Sequence, residues 1–181
     1  MPIHLSRGDI TRVAADAIVN ASNAELTPGG GVSGAIHTAA GPGLAQACAK
    51  HRREHGPLAP GEAAITPGFD LPARFVIHAL GPVWHGGTAS EATTLATAYR
   101  SSIDLADENG LATVAFPSIS TGVFGYPVTL AAPVAVDAVR EALAAASHVH
   151  DVTFVLFDDA TYAAYERALG GPATTRRDRR A

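Results

Sequence analysis

Three consecutive glycines are the first feature of this sequence that indicates chemistry. Gly29, Gly30 and Gly31 precede Val32 and Ser33, where a stretch of helical period begins. A backbone without Cβ atoms can approach a ligand closely, and amides that lead into a helix N-terminus attract anions. The loop therefore favours phosphate binding. It matches neither the GxGxxG nor the GxxxxGK(S/T) spacing, so a purely structural turn is the alternative interpretation.

A second loop, residues 118–127, combines hydroxyl groups, glycines and aromatic rings after a short apolar run. Its hydroxyls and amides can coordinate phosphate oxygens, and Phe124 can lie against a sugar or face the core. We expect the two loops to face each other across one crevice and hold a diphosphate from both sides. The candidate residues of this loop are Ser118, Ser120, Thr121, Gly122, Val123 and Phe124.

Two further groups of residues each allow two interpretations. Asp9 can accept a hydrogen bond from the exocyclic amine of a base, or it can cap a turn. Cys48, His51 and His55 have a helical spacing that can present metal ligands. Cys48, however, lies in an apolar phase and the histidines flank charged residues, so we favour core and surface roles and predict no metal site.

Alternating strand and helix signals must position these loops. Apolar runs rich in β-branched residues predict strands at 3–5, 17–19, 62–66, 74–80, 113–116 and 152–157, and the intervening stretches predict helices at 31–40, 42–55, 90–109, 130–146 and 159–169. This alternation predicts an α/β sheet between two helical layers, with connections too long for hairpins. Ligands of such sheets bind beyond the carboxyl ends of the strands, which is where both loops lie.

Composition narrows the class of protein. The chain has 181 residues, 18 glycines, one cysteine and a net charge of −4. Four of its 13 basic residues lie in the last six positions, which leaves nine basic and 16 acidic residues in the rest. This excess of acidic residues makes extensive nucleic-acid binding unfavourable. We therefore expect any anion to be bound mainly by backbone amides. We expect a cytoplasmic protein without a membrane span, with one domain in residues 1–170 and a disordered basic tail in 171–181.

The order of five motifs resembles the macrodomain family, specifically its MacroD-type branch. The motifs are GDIT at 8–11, IVNASN at 18–23, GGGVSGAIH at 29–37, a segment from Leu71 that ends in GPVW at 81–84, and ISTGVFGYP at 119–127. The resemblance covers about residues 3–169. It implies a three-layer α/β/α sandwich with a mixed central sheet.

The resemblance also implies ADP-ribose as the ligand and a role for each motif. Asp9 would accept from the adenine amine, the Ile10 amide would contact the base, and Phe157 would lie against it. The two loops would wrap the diphosphate and the distal ribose, whose hydroxyls would bind Asn23. No cofactor is implied, and we expect a monomer whose partners are ADP-ribose and mono-ADP-ribosylated proteins.

The chemistry implied by the resemblance is hydrolysis of an ester on the distal ribose. Relatives of this branch remove mono-ADP-ribose from acidic side chains and deacetylate O-acetyl-ADP-ribose. A water between the phosphate and the ribose would attack, with Asn23 and Ser33 as the catalytic residues. Ser33 departs from the family pattern, because relatives usually have aspartate there and serine is a poor general base. His37 lies one helical turn after Ser33, so it can pair with Ser33 or simply pack in the core.

Three functional classes remain open on the sequence alone. The first is a hydrolase of protein-linked ADP-ribose, and the second is a non-catalytic ADP-ribose reader, which Ser33 favours. The third is an enzyme that acts on a derivative such as ADP-ribose 1″-phosphate or ADP-ribosylated nucleic acid.

Overall fold

The computed structural model describes residues 2–170, so the expected tail at 171–181 lies outside the described residues. Six strands form one sheet in the order β1-β6-β5-β2-β4-β3. Every neighbouring pair is parallel except β3 and β4. The strands are β1 (Ile3–Arg7), β2 (Ala17–Ala21), β3 (Ala63–Pro67), β4 (Phe75–Ala79), β5 (Thr113–Phe116) and β6 (Asp151–Leu156).

Five helices cover the two faces of the sheet and make a three-layer α/β/α sandwich. They are α1 (Gly31–Ala40), α2 (Pro42–His55), α3 (Glu91–Glu108), α4 (Val128–Ala145) and α5 (Asp159–Ala168), and a short 3-10 turn spans Ile10–Arg12. Residues of α1 and α2 share one buried cluster with one face of the sheet, and those of α3, α4 and α5 share a second cluster with the other face. The mixed sheet and the three layers confirm the predicted fold.

One expectation about the connections is wrong. The seven residues 68–74 join β3 to β4 as antiparallel neighbours. A parallel pair needs a crossover of a dozen residues or more, so a link this short can only reverse the chain. The remaining pairs are parallel, and α4 joins β5 to β6, the parallel pair that is consecutive in the chain.

Element ends differ most from prediction where polar residues continue a strand. β2 extends to Ala21 because Asn20, only 1% exposed, pairs with His78 on β4, and its side-chain amide contacts the His78 ring at 3.2 Å. The sequence alone predicts an end at this polar residue, since its buried partner is 58 positions away. α4 begins at Val128 rather than at 130, and it contains Pro133.

The cluster on the α3–α5 face is built around four aromatic rings. Tyr99, Phe116, Phe154 and Tyr165 are fully buried, and neighbouring ring centroids lie 4.8 to 6.0 Å apart. Burying one such ring contributes about 1.5–3 kcal/mol. This cluster lies directly beneath the loop that follows β5 and supports it from below. Within residues 2–170, no helix is long and apolar enough to cross a membrane.

Candidate functional site

A cleft of about 640 Å³ opens at the carboxyl edge of the sheet. Loops that follow β1, β6, β5, β2 and β4 line it, together with the start of α1. Every residue predicted to contact a ligand lines this cleft: Asp9, Ile10, Asn23, Gly29, Gly30, Gly31, Val32, Ser33, Ser118, Ser120, Thr121, Gly122, Val123, Phe124 and Phe157. Gly81, Asp158 and Thr161 also line it and were not predicted, because they lie outside the loops that composition marks as unusual.

The charge of the cleft agrees with the argument from composition. Among the described residues, no Lys, Arg or His side chain lines the cleft, and its charged groups are the carboxylates of Asp9 and Asp158. An anion in the centre of this cleft has to be bound by amides and hydroxyls. Both carboxylates lie at the β1–β6 end of the cleft.

The glycine loop leads directly into the first turn of α1. The helix begins at Gly31, and its N-cap residue, Gly30, makes no side-chain capping bond. The first-turn amides therefore have no capping side chain and point towards the loop, where the helix dipole also favours an anion. Gly34 packs so closely under the loop that a Cβ there would lie 2.5 Å from the Gly29 carbonyl oxygen.

Asn23 is half-buried beside the glycine loop, and its side chain binds that loop at three points. Its Nδ2 donates to the Thr27 carbonyl at 3.1 Å and lies 3.0 Å from Thr27 Oγ1, and its Oδ1 accepts from the Thr27 amide at 3.1 Å. Asn23 therefore holds residues 23–27 in shape while it lines the cleft. The predicted ribose contact would come in addition to this structural role.

Ser33 lies in the first turn of α1 and is only 5% exposed. Neither its Oγ nor either ring nitrogen of His37 has a hydrogen-bond partner among residues 2–170, so the Ser33–His37 pair does not form. Burial lowers the pKa of His37, which keeps the ring neutral near pH 7. His37 packs on the buried face of α1, as the packing interpretation predicted.

The loop that follows β5 contains a strained residue at the cleft. Ser120 has φ +66° and is 5% exposed, and its Oγ has no hydrogen-bond partner among the described residues. A left-handed, non-glycine residue is uncommon and concentrates at functional sites. The loop approaches β4 so closely that a Cβ on Gly81 would lie 2.1 Å from Ser120 Oγ. A side chain at position 81 would require Ser120 and Ile119 to move.

The β1–β6 end of the cleft has the features expected of a base-binding site. Asp9 caps the 3-10 turn, because its Oδ1 accepts from the Thr11 amide at 2.9 Å and the Thr11 hydroxyl at 2.7 Å. These two bonds lower the pKa of Asp9, so the carboxylate is charged at neutral pH. The capping interpretation is confirmed. The second oxygen, Oδ2, lies 3.9 Å from Arg12 Nε and can also accept from a base amine. Phe157 is 83% exposed at the rim, where its ring can cover a bound base.

The possible metal ligands do not come together. Cys48 is buried and its sulfur lies 3.6 Å from the His78 ring, whereas His51 and His55 stack on each other with centroids 4.4 Å apart. Burial raises the pKa of the Cys48 thiol to about 11, so it stays protonated. Within the described part of the chain, no group of three His, Cys, Asp or Glu is arranged to hold a metal.

Comparison with known proteins gives one consistent family. The macro domain family profile matches residues 19–135. A macro domain-containing protein of Chlorobaculum tepidum is 53% identical over 167 residues, which cover 92% of this chain and 95% of the relative. An O-acetyl-ADP-ribose deacetylase of Enterobacter cloacae is 52% identical and covers 92% of this chain and 93% of its own.

Solved structures agree with these sequence relatives. A mutant of the Oceanobacillus iheyensis macrodomain with ADPR superposes with a TM-score of 0.87 at 41% identity, over 92% of this chain and 90% of that one. A Trypanosoma brucei macrodomain in complex with ADP-ribose has a TM-score of 0.85 at 39% identity, over 93% and 69% of the two chains. The profile match, these identities and the shared architecture make this chain a member of the macro domain family.

Proposed function

We propose that this chain binds ADP-ribose and hydrolyses the ester that joins mono-ADP-ribose to acidic side chains of proteins, as a MacroD-type macrodomain. One observation carries the proposal. A single cleft without basic side chains has a carboxylate and an exposed aromatic ring at one end, two amide-rich loops in the middle and Asn23 with Ser33 at the other end. This sequence of groups matches a base, a diphosphate and a distal ribose in that order.

Amides explain how an acidic protein can bind a dianionic ligand. The uncapped first turn of α1 and the loop 120–124 offer N–H donors from opposite sides. Such donors are preorganised and act in a partly enclosed site, where their interaction with charge is stronger than in water. Basic side chains are therefore unnecessary for the two phosphate charges.

The reaction requires little covalent chemistry from the protein. Water adds across the ester, which gives a free carboxylate on the modified protein and a hydroxyl on the distal ribose. Because an ester is already activated, orienting the water and the ribose supplies much of the rate. We assign the ribose contact to Asn23, the water contact to Ser33 and the enclosure of the water to the glycine loop. The same arrangement would serve O-acetyl-ADP-ribose, the substrate named for the Enterobacter cloacae relative.

The test is a hydrolysis assay with several substrates side by side. A glutamate-linked mono-ADP-ribosylated protein, O-acetyl-ADP-ribose and ADP-ribose 1″-phosphate are each incubated with the protein, and released products are quantified. We expect release from the two esters well above blank. Release only from the 1″-phosphate, or only from ADP-ribosylated nucleic acid assayed in parallel, would move the chain to another substrate class.

A non-catalytic reader is the second candidate function, and Ser33 supports it. No basic group contacts the Ser33 hydroxyl among residues 2–170, so nothing on the protein removes its proton. Tight ADP-ribose binding in calorimetry, combined with no turnover of any of these substrates, would establish the reader and contradict the hydrolase.

A further inference from the structure

Ser118, a hydroxyl candidate of the loop that follows β5, is half-buried and lines the cleft, and the proposed function gives it no specific contact. Its hydroxyl oxygen accepts two hydrogen bonds from the protein. Thr121 Oγ1 donates to it at 2.8 Å, a shorter distance than the 3.1 Å to its other acceptor, the Ser118 carbonyl oxygen. The Tyr165 hydroxyl donates to it at 3.1 Å. A serine oxygen has two lone pairs, so these two bonds fill its capacity as an acceptor.

The Tyr165 bond is the end of a directed chain of hydrogen bonds. The Ile119 amide, which can only donate, donates a hydrogen bond to the Tyr99 oxygen at 3.0 Å. The Tyr99 hydroxyl can then donate its own proton. We assign this hydrogen bond to the Tyr165 oxygen at 3.1 Å, because the other acceptor, the Pro117 carbonyl, is farther away at 3.4 Å. Tyr165 in turn donates to Ser118.

The two phenols keep their protons and their positions. Both tyrosines are fully buried, Tyr99 on α3 and Tyr165 on α5. Burial raises the pKa of each, so both stay protonated at neutral pH. Both tyrosines are packed in the aromatic cluster beneath the loop. They cannot rotate away from these hydrogen bonds without disturbing the core.

We propose that Ser118 is a ligand-binding residue whose hydroxyl is forced to donate its proton into the cleft, onto a phosphate oxygen of the ligand. The protein already fills both acceptor positions of the Ser118 hydroxyl. The hydroxyl can therefore only donate, and its proton points into the cleft. A donor of fixed direction beside an anion costs no reorganisation on binding, and a bond to a charged acceptor is stronger than one between neutral groups.

The position of Ser118 along the sheet indicates that it contacts the diphosphate rather than the base or the distal ribose. It follows β5, which lies between β6, with Phe157 at its end, and β2, with Asn23 beyond its end. Neighbouring strands are about 4.8 Å apart, so Ser118 stands near the middle of a span of roughly 10 Å. This assignment rests on the proposed function, in which the base lies at the β6 end and the distal ribose at the β2 end.

The test compares ligands with and without the diphosphate. Dissociation constants for ADP-ribose and ADP are measured by titration calorimetry, and that for adenosine by ligand-observed NMR. We expect Ser118→Ala to weaken ADP-ribose and ADP by about tenfold and to leave adenosine unchanged. Tyr165→Phe, which keeps the ring, should weaken the same two ligands by a smaller factor.

A double-mutant cycle separates this role from general support of the loop. If Tyr165 acts through Ser118, the double variant Ser118→Ala/Tyr165→Phe will bind ADP as Ser118→Ala does. Tyr162→Phe, on the same helix and outside the chain of bonds, is the matched control and should bind all three ligands as the wild type does. Thermal unfolding checks that each variant is folded.

The outcomes distinguish the two proposals. Wild-type protein that binds neither ADP-ribose nor ADP removes the proposed function, and the role of Ser118 with it. Wild-type binding together with unchanged ADP affinity in Ser118→Ala overturns the role of Ser118 alone. Equal weakening of adenosine and ADP, or additive effects in the cycle, would also overturn it, because both would mean loss of loop structure.

Discussion

At the residue scale, the proposed reaction depends most on Ser33, at a position where the resemblance to MacroD-type relatives implies an acid. The position is the third residue of α1, whose first turn contains no acidic side chain. An anion there would be stabilised by the helix dipole, although it is buried. We expect Ser33→Asp to raise ester hydrolysis by about tenfold or more, since a carboxylate orients and polarises water better than a hydroxyl.

Ser33→Asn is the matched control for this prediction, because asparagine has nearly the same shape without the charge. The two variants are compared by their steady-state hydrolysis rates on one ester substrate. Equal rates for the aspartate and asparagine variants would show that charge at this position does not matter. A complete loss in Ser33→Ala would instead give the serine hydroxyl a direct part.

Asn23 is the second residue to which the proposed function assigns a specific role. Its three bonds to Thr27 shape the start of the glycine loop, and misplacement of a catalytic group by about 1 Å can cost roughly 100-fold in rate. We expect Asn23→Ala to slow ester hydrolysis by at least about tenfold. Thr27→Val removes one of the three bonds and should cause a smaller loss. Equal losses in the two variants would reduce Asn23 to a structural residue.

At the scale of elements, the glycine loop and α1 act as one unit because they touch at Gly34. Replacing a helical glycine by alanine usually stabilises a protein by about 0.5–1 kcal/mol. Here the new Cβ would lie 2.5 Å from the Gly29 carbonyl oxygen, so the loop or the helix has to move. We expect Gly34→Ala to lower the free energy of unfolding by about 1–3 kcal/mol, measured by urea denaturation.

Gly30→Ala is the control for the effect of Gly34. A Cβ at position 30 would meet no atom within 4 Å, and its φ of −78° suits any residue. The free energy of unfolding should therefore change little. If the two alanine variants are equally stable, the contact between loop and helix does not constrain the loop.

The loop after β4 is also an element whose order comes from one side chain. The buried Glu91 carboxylate accepts hydrogen bonds from the amides of His85, Gly87 and Ala89 at 2.8 to 3.2 Å. Burial opposes ionisation, but these amides lower the pKa of Glu91. Gly81 lines the cleft at the start of this loop, whereas residues 82–90 do not.

At the scale of the whole molecule, a buried histidine connects stability to pH. His78 is fully buried between β2, β3 and α2, where it contacts Asn20, Thr66 and Cys48. Burial lowers its pKa to about 3, with smaller contributions from two neighbouring histidines. The unfolded chain binds this proton below its ordinary pKa of 6.5, whereas the folded chain does not.

Stability from His78 is therefore fully present above pH 6.5 and declines as pH falls towards 3. The slope approaches about 1.4 kcal/mol per pH unit for one such group. We expect the free energy of unfolding to fall between pH 6.5 and 5, and His78→Gln to flatten that decline whatever its effect at pH 7. His150→Gln, at an exposed position, should keep the wild-type slope. A slope that is unchanged in His78→Gln would contradict the prediction.

Much of the fold could be predicted because it follows from local patterns. Buried parallel strands require continuous apolar runs, helices require their own period, and the stop signal at Asn109 and Gly110 indicates the end of α3. The errors occur where a distant partner decides. Asn20 continues β2 where its Nδ2 contacts the ring of His78, a residue 58 positions away. β3 runs antiparallel to β4 because the link between them is short.

The candidate site divides in the same way. The sequence by itself determined which segments carry chemistry, because glycine-rich and hydroxyl-rich loops after strands are local features and the acidic composition leaves anion binding to amides. Only the tertiary structure decided that Ser33 and His37 do not pair, that Glu91 holds the loop after β4, and that buried tyrosines reach Ser118. Each of these findings depends on which side chains meet across the sheet and its layers. Local sequence patterns do not predict such contacts between residues that are far apart in the chain.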